Sequence, residues 1–375
     1  QKPTIVSSTL TWEKVTTLDL GLDARFFNDA LGVTFDWYNR TTSDILTTAN
    51  LPATLGADAP YENMGTIQTK GWELAIDYRH TFKNGLHFGV TASVADDKTE
   101  VTKWTYNTKI PSYGATGWWD KSAYKEGMVL GDIWGLQFDR FLTEDDFNAD
   151  GSLKAGLPDQ TKVFPAGYQF APGDVLYKDL DNNGEIVKQT NTNDKGDLSV
   201  IGNALPRLQF GLNLDAAWKG FDISMFFQGV AKRKLWAAGN QVLPGFTTGE
   251  PFYKGAEDYW TPENTDAFYP RPMDYKQSAS GNYSVNDRYL LNMAYLRLKT
   301  FTVGYSLPKV WLSKFKVQGL RVYFTGENLF TIDGVKPAID PEIGIRTASG
   351  KSDQRNFGRS YPYQKTVSFG IQLSL

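Results

Sequence analysis

No cysteine occurs among the 375 residues. Disulfide scaffolds, thiolate zinc sites and cysteine nucleophiles are therefore excluded, and the composition suits a chain that crosses an oxidising periplasm. Histidine is nearly as scarce: His80 and His87 are the two in the chain, and they flank one short turn without an acid and a nucleophile around them. The His-Glu-x-x-His zinc motif, the Gly-x-Ser-x-Gly elbow and the Walker phosphate loop are absent too. Acid pairs such as Asp145-Asp146 exist, but a loop-rich chain offers carboxylates anywhere, and two-carboxylate catalysis gains no support from them. No catalytic residue is assigned, and the chain does not read as an enzyme. The formal net charge is −3 with no long block of one sign, so the basic stripe that nucleic acid requires is missing. No run approaches the roughly 18 apolar residues of a membrane-spanning helix. Nor does a methionine or a charged-then-apolar leader open the chain, which starts Gln1-Lys2-Pro3. An exported protein carries a signal peptide before maturation, so a substantial N-terminal part is expected upstream.

What is abundant is strand and turn material: 14% aromatic residues and 35 glycines. The mean hydropathy of −0.40 is compatible with a membrane barrel, in which lumen-facing polar residues alternate with lipid-facing apolar ones. Period-two patterning recurs along the chain. Leu18, Leu20, Leu22, Ala24 and Phe26 oppose Asp19, Asp23 and Arg25. Trp72, Leu74, Ile76 and Tyr78 oppose Glu73, Asp77 and Arg79. The same alternation fills 86–95, 207–219 and 365–375, and further strands are expected at 31–40, 221–230, 294–307 and 320–330. It slips near Lys299–Phe301, which predicts a β-bulge. Several strands run 10–13 residues, long for a sandwich, whose strands average about 5–6, and suited to the roughly 9–11 residues of a tilted bilayer crossing. Aromatics at strand ends, among them Trp37, Tyr38, Tyr78, Trp218, Phe221 and Tyr305, fit interfacial girdles. The expected fold is all-β, a transmembrane antiparallel β-barrel.

Connections sort by length. Asn28-Asp29-Ala30, Lys83-Asn84-Gly85 and Lys219-Gly220 are tight, whereas 42–64, 237–287 and 331–361 are long. Outer-membrane barrels have short periplasmic turns and long extracellular loops, and the two must alternate. The alternation closes only if about 96–205 holds an even number of crossings. Zero is favoured, which makes that stretch a large extracellular excursion in which 129–141 and 172–178 form a hairpin. Nine crossings follow, an odd number, so the remaining strands of an even-stranded barrel are expected upstream.

Six phrases fall in order along nearly the whole chain: Lys70-Gly71-Trp72-Glu73-Leu74, Gly202-Asn203-Ala204-Leu205-Pro206-Arg207, Lys219-Gly220-Phe221-Asp222-Ile223, Tyr295-Leu296-Arg297-Leu298-Lys299, Gly304-Tyr305-Ser306-Leu307-Pro308 and Gly326-Glu327-Asn328-Leu329-Phe330. Together they resemble the C-terminal part of a SusC/RagA-type TonB-linked outer-membrane transporter. The resemblance implies a barrel of about 22 strands closed by an N-terminal plug, with a TonB box before the plug. It also implies a SusD-like surface lipoprotein as lid, oligosaccharide or peptide as cargo, and a place in the outer membrane of a Gram-negative bacterium. Plug, TonB box and signal sequence do not occur in these residues. The chain also ends on Leu375, where such barrels usually finish on an aromatic. A soluble β-rich carbohydrate-binding or glycan-processing protein is the rival reading, and a passive porin the third.

Two groups of residues stand out as sites. Asp179, Asp181, Asn183 and Glu185, with Gly184 between, match the opening of a calcium loop. Thr190 stands where a closing carboxylate belongs, and Asp194 or Asp197 could substitute in a wider loop; an Asx-rich turn without an ion is the alternative. Calcium is thus a candidate ion, and no cofactor is required. Trp118, Trp119, Trp134, Tyr253, Tyr259 and Trp260 lie in the long connections, where aromatic faces stack on sugars or peptide side chains, or anchor a lid protein. Packing of loop against loop is at least as good an account of each.

Overall fold

A computed structural model of the chain describes residues 10–48, 60–105, 124–188, 195–237, 239–246, 252–273, 281–313, 317–336, 339–342, 361 and 363–374. In chain order the strands are β1 Lys14–Phe26, β2 Leu31–Thr48, β3 Tyr61–Thr81, β4 His87–Trp104, β5 Asp132–Gly135, β6 Phe138–Phe141, β7 Val175–Tyr177 and β8 Ser199–Asn203. There follow β9 Arg207–Trp218, β10 Phe221–Lys232, β11 Lys234–Leu235, β12 Leu291–Asn292, β13 Tyr295–Ser306, the short helix α1 Lys309–Leu312, β14 Gly319–Asp333 and β15 Thr366–Ser374. One nine-stranded sheet runs β1-β2-β3-β4-β9-β10-β13-β14-β15, antiparallel throughout. These nine are the strands that alternation marks in the sequence, and the described residues between β4 and β9 add none to the sheet.

Register explains why the pattern matters. Directly opposed residues share a face, so the pairings can be followed sideways. One row passes Ala24, Val33, Ile76, Ala92, Leu212, Phe227, Leu298 and Phe330, from β1 to β14. The next passes Phe26, Leu31, Tyr78, Val90, Leu214, Met225 and Phe301. Among the described residues no second sheet covers these rows: Ile76 and Tyr78, in a strand with neighbours on both sides, are 38% and 37% exposed, and Leu298, near the module, is buried. The opposite face is polar and internally paired. Arg25 Nη1 donates to Asp77 Oδ2 at 2.7 Å, Thr34 Oγ1 to Asp23 Oδ1 at 2.7 Å, and Arg321 Nε to Asp222 Oδ1 at 3.0 Å.

Turn chemistry fixes that register at one end. Lys219 and Gly220 both adopt positive φ, 48° and 89°, the geometry a two-residue hairpin needs to match strand twist. Between β1 and β2, Phe27, Asn28 and Asp29 take φ of 56°, 54° and 65°. The bulge expected near Lys299 is present. Leu298 and Thr300 pair with Phe227 and Phe226, which leaves Lys299 without an opposite residue on β10.

Two expectations change. The long connection at 42–64 is strand at both ends, because β2 continues to Thr48 and β3 starts at Tyr61. The break in alternation at Thr42–Asp44 is absorbed by register shifts around Ile45 and a positive φ of 58° at Asp44, so the chain stays extended where pattern alone suggests a loop. The hairpin of 129–141 with 172–178 is half realised: β6 pairs with β7, but β5 pairs with β8 instead.

The buried core lies at the other end of the sheet, where the long connections pack. One cluster gathers Ile133, Leu235, Leu243, Tyr269, Tyr289 and Met293; a second gathers Leu136, Val163, Tyr177, Ile186, Leu198 and Trp260. Ile45, Val101 and Trp104, from the far ends of β2 and β4, meet Tyr124 and Met128 in a third. Residues of the long connections thus form a packed module of their own.

Candidate functional site

Asp174 joins the two larger clusters. Its fully buried carboxylate accepts from Arg271 Nε at 2.8 Å, Tyr168 Oη at 2.9 Å, Ala171 N at 2.9 Å and Asn282 Nδ2 at 2.9 Å. So many donors offset the cost of burying a charge, and they bind 168–174 to 271–282 across about a hundred residues of sequence. Burial, and then the Asp174 charge, push the Tyr168 hydroxyl well above the ordinary phenol range. Arg288 works similarly. Its guanidinium lies 4.3 Å from the Phe138 ring centre and 5.0 Å from that of Phe141, and donates to the carbonyls of Phe268 and Ala267.

Against this framework lies an aromatic cavity of about 590 Å³, lined by Phe252, Tyr253, Tyr259, Tyr269, Tyr283 and Pro272 among others. Lys254 and Glu257 border it and also a second cavity of about 560 Å³ that carries Asp258, Asp266, Arg288 and Lys336. An apolar pocket beside a mixed-charge pocket suits a ligand or partner segment with greasy and ionic parts.

The six aromatics singled out in the sequence separate here. Tyr253 and Tyr259 come together on the cavity wall, and both keep exposed surface. Trp260 is 7% exposed and packs in the second cluster, with Trp134 against the same cluster. For Trp260 the packing role is the one the structure gives, because its ring is buried in that cluster and has little face to offer. Trp118 and Trp119 lie outside the described residues. Tyr269, Tyr283 and Phe252 were missed. The proline-flanked Tyr269-Pro270-Arg271-Pro272 is the signal that marks a rigid aromatic wall.

The acidic loop departs from its expected ligand set. Asp179, Asp181 and Asp197 each place one carboxylate oxygen within 4.8 Å of the others. Asp179 accepts from Gly184 N at 2.8 Å and Asp181 from Asn183 N at 3.1 Å; Asn183 Oδ1 is taken by Glu185 N at 2.8 Å. Glu185 turns away to pair with Lys162. Asp197, buried and accepting from Leu180 N and Val187 N at 2.8 Å each, stands where a third carboxylate is needed. Loss of solvent raises the Asp181 carboxyl above its usual range; the Asn183 N–H opposes this, and the charges of Asp197 and Asp179 add to it. Asp194 and Thr190 lie outside the described residues.

Asp146, from the acid pair of the sequence, is structural. Its two oxygens receive both terminal nitrogens of Arg140 at 2.6 and 2.7 Å, and Thr143 N at 2.7 Å. His87 serves packing of strand on strand, with Nδ1 3.1 Å from Thr81 Oγ1 and Nε2 3.5 Å from Asp215.

Comparison with known proteins places this geometry. Residues 1–169 match the family described as TonB dependent receptor-like, beta-barrel. TonB-dependent receptor P3 of Formosa agariphila is 28% identical over 97% of this chain and 34% of its own length. TonB-dependent receptor SusC of Bacteroides thetaiotaomicron is 24% identical over 100% of the chain and 33% of its own. A solved structure of the RagAB peptide transporter superposes with a TM-score of 0.69 at 21% identity, over 98% of this chain and 36% of that one. The chain spans about a third of the length of the curated relatives it matches.

The Asp146 geometry generates an acid-stability expectation. The Arg140 hydrogen bonds, reinforced by Thr143 against the opposing effect of burial, depress the Asp146 carboxyl to about 2 from 3.8. A depressed acid stabilises the fold above its unfolded value and loses that contribution as pH falls through the folded one. With screening at the half-exposed Arg140, the contribution is on the order of 1–2 kcal/mol. Tryptophan fluorescence titrated from pH 5 downward should show the module loosening between about pH 4 and 2. In Asp146→Asn the module should be weaker at neutral pH and this step absent; an unchanged acid profile refutes the assignment.

Proposed function

We propose that the chain, whose residues 1–169 match a TonB dependent receptor-like β-barrel family and which is similar to TonB-dependent receptor SusC, forms one side of an outer-membrane nutrient importer. The observation that carries this reading is the pair of apolar rows that cross the sheet with no second sheet over them among the described residues, and with Phe26, Ile76 and Tyr78 exposed. Such rows face hydrocarbon, and the ion-paired face lines the lumen, where a plug from the rest of the protein is seated. Backbone groups in a bilayer must find partners within the protein, and an antiparallel sheet closed by further strands satisfies them. The packed module between β4 and β9 and between β10 and β13 stands outside the membrane, since it joins the strand ends opposite the tight turns. TonB, acting through residues other than these, supplies the work of opening.

The finer reading concerns cargo and partner. The module's aromatic cavity, with Tyr253 and Tyr259 on its wall, meets either an oligosaccharide or peptide in transit or a SusD-like surface lipoprotein that closes the mouth. Asp179, Asp181 and Asp197 hold calcium, the hard cation whose oxygen ligands this set provides; the ion would staple the loop that follows β7 and carries no part of the transport step. The rival, a soluble β protein, leaves the apolar rows unexplained.

Three outcomes test these statements on the full-length protein. Ile76→Arg puts a charge in the lipid-facing row, whereas Ala75→Arg puts one in the lumen-facing row beside it. The first should cost about 2–4 kcal/mol and empty the outer-membrane fraction of heat-modifiable barrel, and the second should leave it. Equal behaviour sinks the membrane assignment. Replacing Tyr253 and Tyr259 together by alanine should weaken co-purification of the lipoprotein encoded beside the transporter, or nutrient-dependent growth; with both unchanged, the cavity is packing alone. Calcium titrated into the chelator-treated protein should release heat that is lost in Asp181→Asn. No heat in the parent removes the ion.

A further inference from the structure

Two cations on the polar side of β13 hold the segment Ile339–Glu342, which follows β14, in place. Arg297 pairs with Gln228 on β10 and with Thr331 on β14, so its side chain belongs to the polar face. Lys299 is the bulged residue of the same strand. A bulge brings successive side chains toward one side, and here it sets a second cation beside the first. Together they meet the segment Ile339–Glu342. Arg297 Nη2 donates to Asp340 Oδ1 at 2.7 Å, Arg297 Nη1 lies 3.1 Å from Glu342 Oε1, and Lys299 Nζ donates to Glu342 Oε2 at 2.6 Å. Arg297 Nε is held by Thr331 Oγ1 at 2.8 Å. Asp340 receives Tyr363 N at 3.1 Å on its other oxygen, and the Tyr363 ring lies 5.4 Å from the Arg297 guanidinium and 4.8 Å from Lys299 Nζ.

The four side chains are nearly dry: Arg297 4%, Asp340 6%, Glu342 11% and Lys299 19% exposed. The residues between the charges are anchored as well, Pro341 by burial and Ile339 against the first hydrophobic cluster. One short segment thus touches the barrel wall through charge and the external module through apolar contact. If stability alone were at issue, apolar side chains of similar size would hold the segment as well, because buried ion pairs spend much of their attraction on desolvation. Charges differ in what happens after release. Each partner is solvated once it reaches water, so a charged clamp opens without exposing grease.

We propose that Ile339–Glu342 is a releasable strap, clamped by Arg297 and Lys299 onto the lumen side of β13, which opens by parting ion pairs and not by exposing apolar surface. The lumen position rests on the barrel reading above; the clamp itself does not. Arg297 and Lys299 are positioning residues that act through the strap, and the phrase Tyr295-Leu296-Arg297-Leu298-Lys299 gains a physical role.

The test measures strap opening by thiol labelling in purified full-length protein in detergent micelles, in a background free of other cysteines; these 375 residues contribute none. Pro341→Cys supplies the reporter, and its rate of reaction with a maleimide is compared across variants. In Arg297→Gln with Lys299→Gln the rate should rise by about tenfold or more, as local opening becomes easier. Lys299→Arg, which keeps the charge, should label as slowly as the parent. Equal rates in parent and double variant overturn the proposal. If the double variant loses its heat-modifiable mobility, Glu342→Gln, which keeps both cations, is read by the same criterion. Faster labelling in a protein whose Ile76→Arg variant ignores the membrane would keep the strap and remove the importer. Unchanged labelling in an inserted barrel removes the strap alone.

Discussion

If the apolar face of the sheet meets hydrocarbon, as proposed above, every backbone amide and carbonyl must find its partner sideways, because no water is there to accept or donate. That constraint, combined with side chains that alternate across the strand, determines most of what is seen. Strands have to be long, their register has to hold over their whole length, and every second side chain has to be apolar whatever else it does. The nine-stranded sheet meets all three conditions with no layer packed on its apolar side. Its buried clusters lie at one end instead, where the connections are long enough to make a core from their own residues.

The division of labour between sheet and module follows. In the sheet, polar residues pair with neighbours one or two strands away, as Arg25 does with Asp77, and these contacts are local in the sheet though distant in sequence. In the module, single charged side chains act as hubs for segments with no strand pairing to join them. Asp174 gathers donors from four residues, and Arg288 is enclosed by aromatic rings. A sheet can rely on repetition, whereas an irregular module depends on a few buried polar groups whose geometry specifies one packing.

This difference also decides what could be read from the residues alone. Alternation is a local signal, so β1, β3, β4, β9 and β15 were legible, and so was the bulge at Lys299, where Leu296 and Leu298 fall out of phase with Phe301 and Val303. Strand ends were less so. Thr42-Ser43-Asp44 reads as a loop, and a bulge together with contacts to β3 keeps it extended. Site residues fared according to how local their evidence was. Asp179 and Asp181 stand together as the spacing indicated, with Asp197, one of the two substitutes the sequence offers, beside them, but Glu185 went to Lys162, which no spacing rule encodes. Tyr253 and Tyr259 share a cavity wall, whereas Trp260, of the same residue class and adjacent in sequence, is packed away. Burial is a property of the partner segments, and those lie far along the chain.

The two-residue turn at Lys219-Gly220 has a consequence for how such a chain can vary. With both residues held at positive φ, β9 and β10 are locked in phase, and adding or deleting a single residue there would rotate an entire strand's greasy side chains onto the polar face of the sheet. The end of the sheet with tight turns is therefore frozen in length. Divergence has to accumulate at the opposite end, where insertions lengthen a module without shifting any ladder, so new recognition surfaces can arise over a wall that stays the same.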